Sequence, residues 1–271
     1  MDRYAVMGNP IAHSKSPEIH TRFAEQTAQD LVYEKILVPL DGLSEALETF
    51  AAEGGKGLSI TVPFKEQAWN LMTERSERAE RARAVNTVAF RGSALYGDNT
   101  DGVGLVRDLR DNHQVALDGR RILVLGAGGA VRGVLPTLLA ESPGQVIIAN
   151  RTVSKAEALA GELADLGRLR ACGFADLHSQ RFDVVINGTS AGISGEMPPL
   201  PDDLLTPDAA CMDMFYSDAP TVFVRWAREH GAGTAVDGLG MLIEQAAEAF
   251  FLWRGVRPDT APVIAAFRGS A

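Results

Sequence analysis

Short apolar runs alternate with longer amphipathic segments along nearly the whole chain. The short runs predict β-strands at residues 3–7, 33–38, 57–61, 85–90, 121–125, 145–149, 183–187, 210–214 and 234–236. The longer segments predict helices at residues 17–27, 43–53, 76–83, 102–112, 130–140, 154–163, 221–230 and 239–254. Strands and helices that alternate at this spacing are typical of parallel α/β sheets, which bind ligands at the carboxyl ends of their strands.

Two breaks divide the pattern, one at GDNTDGVG near residue 101 and one at AVDGLGM near residue 238. The chain after the second break is too short to fold alone, so we expect its helices to return to the N-terminal block. The prediction is two α/β domains, one comprising residues 1–101 and 238–271 and the other residues 102–237. A hinged cleft between two such domains is a usual place for a small ligand.

Composition narrows the class of protein. The 271 residues carry a net charge of −9, which argues against nucleic acid or an anionic membrane as the main partner. Cys172 and Cys211 have no CxxC partner, and the five histidines show no metal-binding spacing, so we expect free thiols and no metal. The sequence shows no secretory signal and no apolar run long enough to span a membrane, which favours a cytoplasmic protein.

The segment RRILVLGAGGAVRG predicts a strand, a glycine-rich turn and a helix. In such a turn the backbone approaches a pyrophosphate, which rests on the free N–H groups of the helix start. Val131 occupies the place of the third glycine of the usual motif. The strand-turn-helix context still favours a Rossmann-like dinucleotide-binding domain over a plain glycine-rich loop. The predicted contacts are Gly126, Ala127, Gly128, Gly129 and Ala130.

The next predicted strand indicates which dinucleotide binds. An NAD site usually ends this strand with an acidic residue that holds the ribose hydroxyls. Here the strand ends in Asn150, Arg151 and Thr152, with Lys155 one turn later. Arg151 can pair with a 2′-phosphate and lie against adenine. These four residues favour NADP over NAD, although Lys155 taken alone is as readily a solvated helix lysine.

The N-terminal block concentrates polar residues where its predicted elements begin or end. Each has a structural alternative: Asp101 can cap a helix, Lys65 can be solvated, and Asn86, predicted inside a strand, can satisfy neighbouring backbone. Together they suit a small, polyhydroxylated substrate that carries a carboxylate. The candidate residues are Ser14, Ser16, Thr61, Lys65, Asn86 and Asp101.

Seven motifs, in this order, resemble those of the shikimate dehydrogenase family: NPIAHSKSPEIH, ITVPFKE, AVNT, GDNTDG, GAGGA, NRT and DGLGMLIEQA. They cover essentially the whole chain. Val131 and Gly188 are minor departures from the family pattern. The resemblance implies an NADP-dependent oxidoreductase acting on a CH–OH group, which reversibly reduces 3-dehydroshikimate to shikimate on the route to chorismate and the aromatic amino acids. It also implies a homodimer or a monomer.

The resemblance implies roles for particular residues. Ser14 and Ser16 would bind the substrate carboxylate. Thr61, Lys65, Asn86, Asp101 and Gln245 would contact the ring oxygens, with Tyr216 closing from the other domain. We expect Lys65 to transfer the proton while Asp101 holds its ammonium group. The nicotinamide would lie against INGTSAG and MDMFY and near the last long helix, with Thr189, Met214, Gly238 and Met241 as contacts, although Met241 can equally be core.

Three other functions remain open at this point. An NAD-using quinate/shikimate dehydrogenase would share the fold, but Arg151, Thr152 and Lys155 argue against it. A dinucleotide-sensing protein without turnover would not need both Lys65 and Asp101. A methylene-tetrahydrofolate-type dehydrogenase shares the two-domain plan, but the SKS turn and the GDNTDG block do not suit it.

Overall fold

Two six-stranded sheets organise the chain in a computed structural model, which describes residues 1–189 and 196–269. Residues 1–104 and 243–269 form a first unit, and residues 105–242 form a second. The divisions fall inside two helices, Asp101–Arg107 and Leu239–Arg254, a few residues beyond the predicted breaks.

The sheet of the first unit has the order β2-β1-β3-β5-β6-β4. Its strands are β1 (Asp2–Gly8), β2 (Leu31–Leu37), β3 (Gly55–Ile60), β4 (Glu74–Arg75), β5 (Thr87–Arg91) and β6 (Ala94–Asp98). Its helices are α1 (Ser16–Gln26), α2 (Leu43–Ala52), α3 (Lys65–Leu71), α4 (Glu77–Ala82), the start of α5 (Asp101–Arg107), most of α9 (Leu239–Arg254), and α10 (Ala261–Gly269). The late helices therefore belong to the N-terminal unit.

The second unit is built on a parallel sheet of the order β12-β11-β10-β7-β8-β9. Its strands are β7 (Arg121–Leu125), β8 (Gln145–Ala149), β9 (Leu169–Cys172), β10 (Phe182–Asn187), β11 (Leu205–Asp213) and β12 (Thr234–Val236). Its main helices are α6 (Gly129–Ala140), α7 (Val153–Glu162) and α8 (Val222–Glu229). Read from β7, this order is that of the doubly wound dinucleotide-binding fold.

Both faces of the second sheet are covered. Ile122 and Val124 of β7 join a core cluster with α6 and α7, whereas Leu123 and Leu125 of the same strand join another with Phe223 of α8. A strand buried on both faces is apolar throughout, which explains the run RILVL. Among the described residues, no helix combines the length and the apolar character that crossing a bilayer requires.

The prediction of parallel sheets is only partly right for the first unit, where β1 pairs parallel with β2 and β3 but β5 does not follow this pattern. Strand β5 pairs antiparallel with both β3 and β6. The connection from β5 to β6 is two residues long, and its Gly92 adopts φ +62°, which is typical of a tight hairpin. The sequence pattern missed β6 because Ala94, Leu95 and Tyr96 are only half-buried, so that the apolar signal is weak.

Several other elements differ from the prediction. The helical pattern missed α10 and gave only the start of α3, while β4 and β9 are too short to show a period. The predicted helix at 102–112 ends as a π-helical turn, Asp108–Asn112. Asn86 precedes β5 and Met214 follows β11, so neither lies inside a strand as predicted.

Candidate active site

Lys65 and Asp101 form an ion pair at one edge of the first sheet. Lys65 begins α3, which follows β3, and Asp101 begins α5, which follows β6. Lys65 Nζ lies 2.5 Å from Asp101 Oδ2, and the two side chains are 25% and 11% exposed. The pair is thus largely shielded from solvent while part of its surface stays accessible.

Asn86 holds the other oxygen of the Asp101 carboxylate, because its Nδ2 donates to Oδ1 over 2.8 Å. The backbone N–H of Thr100 donates to Asn86 Oδ1 over 2.9 Å. Since a backbone N–H can only donate, this bond fixes which end of the amide faces Asp101. The Thr87 hydroxyl donates to the same Asn86 oxygen over 2.8 Å. Asp101 is therefore held between Lys65 and Asn86.

Gln245 lies beside this cluster, on α9. Its Oε1 accepts hydrogen bonds of 3.3 Å from Asn86 Nδ2 and from the Thr100 hydroxyl. The structure therefore brings together four predicted site residues from separate segments of the first unit, namely Lys65, Asn86, Asp101 and Gln245.

Ser14 and Ser16 belong to a tight turn between β1 and α1. The N–H of Ser16 donates to Ser14 Oγ over 3.3 Å, and the N–H of Ser14 donates to the Ile11 carbonyl over 3.1 Å. Ser16 begins α1, with a proline in its first turn. These bonds use the Ser14 oxygen as an acceptor and leave its hydroxyl proton for another partner.

Thr61 follows β3 next to the end of β1. A β-carbon on Gly8 would lie 2.4 Å from Thr61 Cγ2, so glycine allows the two strand ends to approach each other. Strands β1, β3 and β6 run in the same direction. The serine turn, Thr61, Lys65 and Asp101 therefore follow carboxyl ends at one edge of the sheet, where α/β folds bind ligands.

The glycine-rich turn of the second unit leads from β7 into α6. Gly126 adopts φ +102°, and a β-carbon there would lie 3.0 Å from the Gly188 carbonyl oxygen. Gly128, Gly129 and Ala130 are exposed, and within the described chain no side chain caps the start of α6. The first N–H groups of α6 have no partner within the helix, so the turn fits a dinucleotide pyrophosphate.

The positive groups after β8 are exposed. Asn150 Nδ2 donates to the Thr152 carbonyl over 2.8 Å, which shapes the turn into α7. Arg151, Thr152 and Lys155 are exposed, and no ion pair joins either cation to an acid among the described residues. Two cations without an acidic partner at this strand end fit a ribose 2′-phosphate.

Three predicted nicotinamide segments meet in the second unit. A β-carbon on Gly188 would lie 3.0 Å from Met214 Sδ, and one on Gly238 would lie 2.3 Å from the Met214 carbonyl oxygen. Both glycines are thus required by the approach of Met214. Thr189 follows directly, with its hydroxyl donating to Asn187 Oδ1 over 2.8 Å. Residues 190–192 of the predicted segment lie outside the described residues.

Met241 and Tyr216, like the other predicted contacts, stay predictions. Met241 is only 7% exposed and packs in a core cluster of the second unit. Tyr216 is half-buried, and burial, assisted by the negative charge of Asp218, raises the pKa of its phenol. Neither placement by itself assigns a ligand.

Sequence reasoning missed the buried residues that hold the site residues in place. In the first unit they are Thr87 and Thr100, both fully buried. In the second they are Asn187, Asp213 and Thr221, which are joined by hydrogen bonds. The available signal was a polar residue at the end of an apolar strand, as in VVIN and CMD, because such a residue needs a buried partner.

Comparisons with known proteins cover the chain from end to end. Family models match residues 6–88 as a shikimate dehydrogenase substrate binding domain, residues 109–193 as shikimate / quinate 5-dehydrogenase, and residues 238–266 as a shikimate 5′-dehydrogenase C-terminal domain. The shikimate dehydrogenase (NADP(+)) of Alkalilimnicola ehrlichii is 68% identical over 98% of both chains.

Two solved structures share the fold. The Ael1 enzyme from Pseudomonas putida matches with a TM-score of 0.94 and 48% identity over 98% of both chains. The shikimate 5-dehydrogenase of Thermus thermophilus, solved with NADP(H) and shikimate, matches with a TM-score of 0.88 and 34% identity over 100% of both chains. This chain therefore belongs to the shikimate dehydrogenase family.

Proposed function

We propose that this chain is a shikimate dehydrogenase that reversibly reduces 3-dehydroshikimate to shikimate with NADPH. In this proposal residues 1–101 and 238–271 bind the substrate, and residues 102–237 bind the cofactor. The observation that carries this proposal is the partly shielded Lys65–Asp101 ion pair, whose carboxylate is held by Asn86. The chain that contains this pair belongs to the shikimate dehydrogenase family. The identity to curated NADP-dependent relatives supports the substrate and the cofactor.

NADP(H), when bound, supplies or accepts the hydride. The N–H groups at the start of α6 would hold its pyrophosphate, and Arg151, Thr152 and Lys155 would hold its 2′-phosphate. No acidic residue stands at that strand end to repel the phosphate. The same charges favour NADP over NAD, because only NADP carries the 2′-phosphate that they can bind.

Lys65 transfers the proton. During reduction negative charge develops on the substrate carbonyl oxygen, and the Lys65 ammonium group donates a proton to it. Asp101 keeps the ammonium in place through its Oδ2, while Asn86 holds Oδ1. In the oxidation direction the neutral amine takes the proton of the substrate hydroxyl.

The remaining first-unit residues orient the substrate. The hydroxyls of Ser14 and Ser16 bind its carboxylate, and Thr61, Asn86 and Gln245 contact its ring oxygens. Tyr216 contributes from the second unit. These roles explain why a chain of net charge −9 concentrates donors in one turn: the anion must be held locally.

The test is NADP⁺ reduction by the purified chain with shikimate, run beside quinate and beside NAD⁺. We expect turnover with NADP⁺ and shikimate, and much slower turnover when either is exchanged. Equal rates with NAD⁺ and quinate would favour the quinate/shikimate dehydrogenase alternative. Tight NADPH binding with no turnover of any cyclic keto acid would favour a sensor.

We also propose that the enzyme works in the cytoplasm, as a monomer or a homodimer. Both cysteines are free thiols, and Cys211 is buried, which suits a reducing compartment. Light scattering during gel filtration measures the mass of the assembly, and fractionation of the source cells tests the compartment.

A further inference from the structure

A buried carboxylate lies behind the predicted nicotinamide contacts of the second unit. Asp213 is the last residue of β11, and its side chain is fully buried. It stands next to Asn187, the last residue of the neighbouring strand β10. Within the described chain no Lys, Arg or His forms an ion pair with it, so its burial is costly unless hydrogen bonds compensate.

Three donors supply that compensation. Asn187 Nδ2 donates to Asp213 Oδ1 over 3.1 Å, and the N–H of Phe215 donates to the same oxygen over 3.2 Å. The hydroxyl of Thr221 donates to Oδ2 over 2.7 Å. The carboxylate therefore joins the end of β10, the turn after β11 and the start of α8.

The directions of the bonds from Phe215 and Asn187 are fixed by their chemistry, since a backbone N–H can only donate. Asn187 Oδ1 accepts from the N–H of Thr189, so its Nδ2 must face Asp213. The Thr221 oxygen accepts from the N–H of Val224, while its hydroxyl proton goes to Asp213 Oδ2. All three partners donate to Asp213, which suits the carboxylate form, whereas burial and the negative charge of Asp237 raise the pKa of this carboxyl.

These bonds end at the residues expected to face the nicotinamide. Asn187 in turn holds Thr189, whose N–H and hydroxyl both donate to Asn187 Oδ1. Phe215 follows Met214, and its carbonyl accepts from the N–H of Gly238 over 3.1 Å. Asp213 is thus connected to Thr189 through Asn187. It is connected to Gly238 through Phe215, which is the neighbour of Met214 in the chain.

We propose that the carboxylate of Asp213 is a positioning residue for the nicotinamide half of the cofactor: it fixes Thr189 and the Met214 turn without touching the cofactor itself. This rests on the proposed function, since it assumes that NADP(H) binds the second unit. Strands β10 and β7 separate β11, which ends at Asp213, from β8, which the residues assigned to the adenosine half follow, so the two halves of the site should respond differently to its loss.

The variant Asp213→Asn tests the donor count. An amide keeps the shape but presents one nitrogen, which must face either the Thr221 hydroxyl or the Asn187 amide and Phe215 N–H. With its nitrogen toward Asn187 and Phe215 the amide meets two donors, and with its nitrogen toward Thr221 the hydroxyl must turn away, so that its buried proton loses its acceptor. Losing a hydrogen bond to a charged group corresponds to about 10- to 100-fold, so we expect the NADPH Kd to rise at least about 10-fold and kcat with shikimate to fall.

A second ligand separates positioning from general damage. The compound 2′,5′-ADP carries the 2′-phosphate and adenosine but no nicotinamide. We expect its Kd for Asp213→Asn to stay within about two-fold of that of the parent chain, well below a lost charged hydrogen bond. Calorimetric titration measures both ligands.

The double variant Asp213→Asn/Thr221→Asp should restore function. Its amide oxygen accepts from Asn187 and Phe215, and its nitrogen donates to the new carboxylate, which still caps α8 by accepting from Val224. The net charge is unchanged. Thr221→Asp alone places two carboxylates face to face and should be the most damaged protein of the set.

A matched control exists in the same sheet, at the amino ends of the strands. Asp183, near the start of β10, accepts from the Thr206 hydroxyl over 3.1 Å and from the N–H of Arg121 over 2.9 Å. Asp183→Asn should lower the Tm without changing NADPH affinity, 2′,5′-ADP affinity or kcat.

Three outcomes overturn the proposal: parental NADPH affinity and kcat in Asp213→Asn, an equal loss of 2′,5′-ADP and NADPH binding, or no recovery in the double variant. Failure of the proposed function looks different. There the parent chain does not turn over shikimate, whereas the contrast between NADPH and 2′,5′-ADP still tests Asp213.

Discussion

Val131 occupies the space that a side chain at position 188 would need. Its Cγ2 methyl lies 2.4 Å from the place where a β-carbon on Gly188 would stand. Val131 takes the place of the third glycine of the usual dinucleotide motif, and Gly188 follows β10. Glycine at position 188 therefore leaves room for the Val131 side chain at the start of α6.

This relationship predicts a coupling between the two positions. Gly188→Ala places a methyl group in space that the Val131 side chain already occupies. We therefore expect the free energy of unfolding to fall by about 1–3 kcal/mol. Val131→Ala removes buried methyl groups and should also destabilise. The double variant should lose less free energy of unfolding than the two single variants lose together. Chemical denaturation of the parent, both single variants and the double variant measures this. Strictly additive losses would contradict the contact.

Lys65 and Asp101 should govern the chemical step. We expect Lys65→Ala and Asp101→Asn each to lower kcat by about 100-fold or more with little change in KM, because proton transfer is lost while binding groups remain. Steady-state kinetics with shikimate and NADP⁺ measures this. Lys56→Ala, which removes an exposed lysine of β3, is the control. Near-parental kcat in Lys65→Ala would exclude it as the proton donor.

Ser14 should contribute to substrate binding. Ser14→Ala removes one hydroxyl of the serine turn, and the loss of about 1 kcal/mol corresponds to a rise of about five-fold in the KM for shikimate. We expect kcat to change little, since the serine is not part of the proton transfer. Ser44→Ala, at an exposed serine of α2, should change neither constant. A fall in kcat without a rise in KM would assign Ser14 another role.

Arg151 should determine the choice of cofactor. Removing a charge-assisted bond to the 2′-phosphate by Arg151→Ala should raise the KM for NADPH by about 10- to 100-fold. The KM for NADH should not change, because that cofactor lacks the phosphate. Arg168→Ala, at another exposed arginine of the second unit, serves as the control. An equal effect on both cofactors would mean that Arg151 contacts another part of the dinucleotide.

His20 should make the fold sensitive to acid. It is 1% exposed, its ring stacks 4.2 Å from that of Tyr33, and neither ring nitrogen has a hydrogen-bond partner among the described residues. Burial lowers its pKa from 6.5 to about 3. The unfolded chain therefore binds an extra proton between these values, so the stability is complete above pH 6.5 and falls as the pH drops toward 3.

The variant His20→Phe keeps the aromatic packing and removes the titrating group. Its free energy of unfolding should depend less steeply on pH in this window, by up to about 1.4 kcal/mol per pH unit for one proton. Urea denaturation at a series of pH values measures both slopes. Identical slopes in the two proteins would show that His20 does not bind the proton.

Local patterns were sufficient wherever the physics is local. The apolar run RILVL and the glycines after it predicted a strand, a turn and a helix, because each depends on neighbouring residues alone. The same holds for Arg151 and Lys155, whose exposure follows from their position after a strand. By contrast, β6 was missed, since its pairing partner β5 and the hairpin turn, rather than its own half-buried residues, stabilise it as a strand.

The sequence by itself determined the two-sheet α/β plan, the glycine turn, the positive groups after β8 and the residue types of the candidate site. These follow from periodicity, backbone freedom and charge. Only the tertiary structure decided that Asn86 is held by Thr87 and Thr100, that Val131 faces Gly188, and that Asp213 joins three segments. Those relationships join residues distant in sequence, and each depends on which polar or apolar group burial places opposite another.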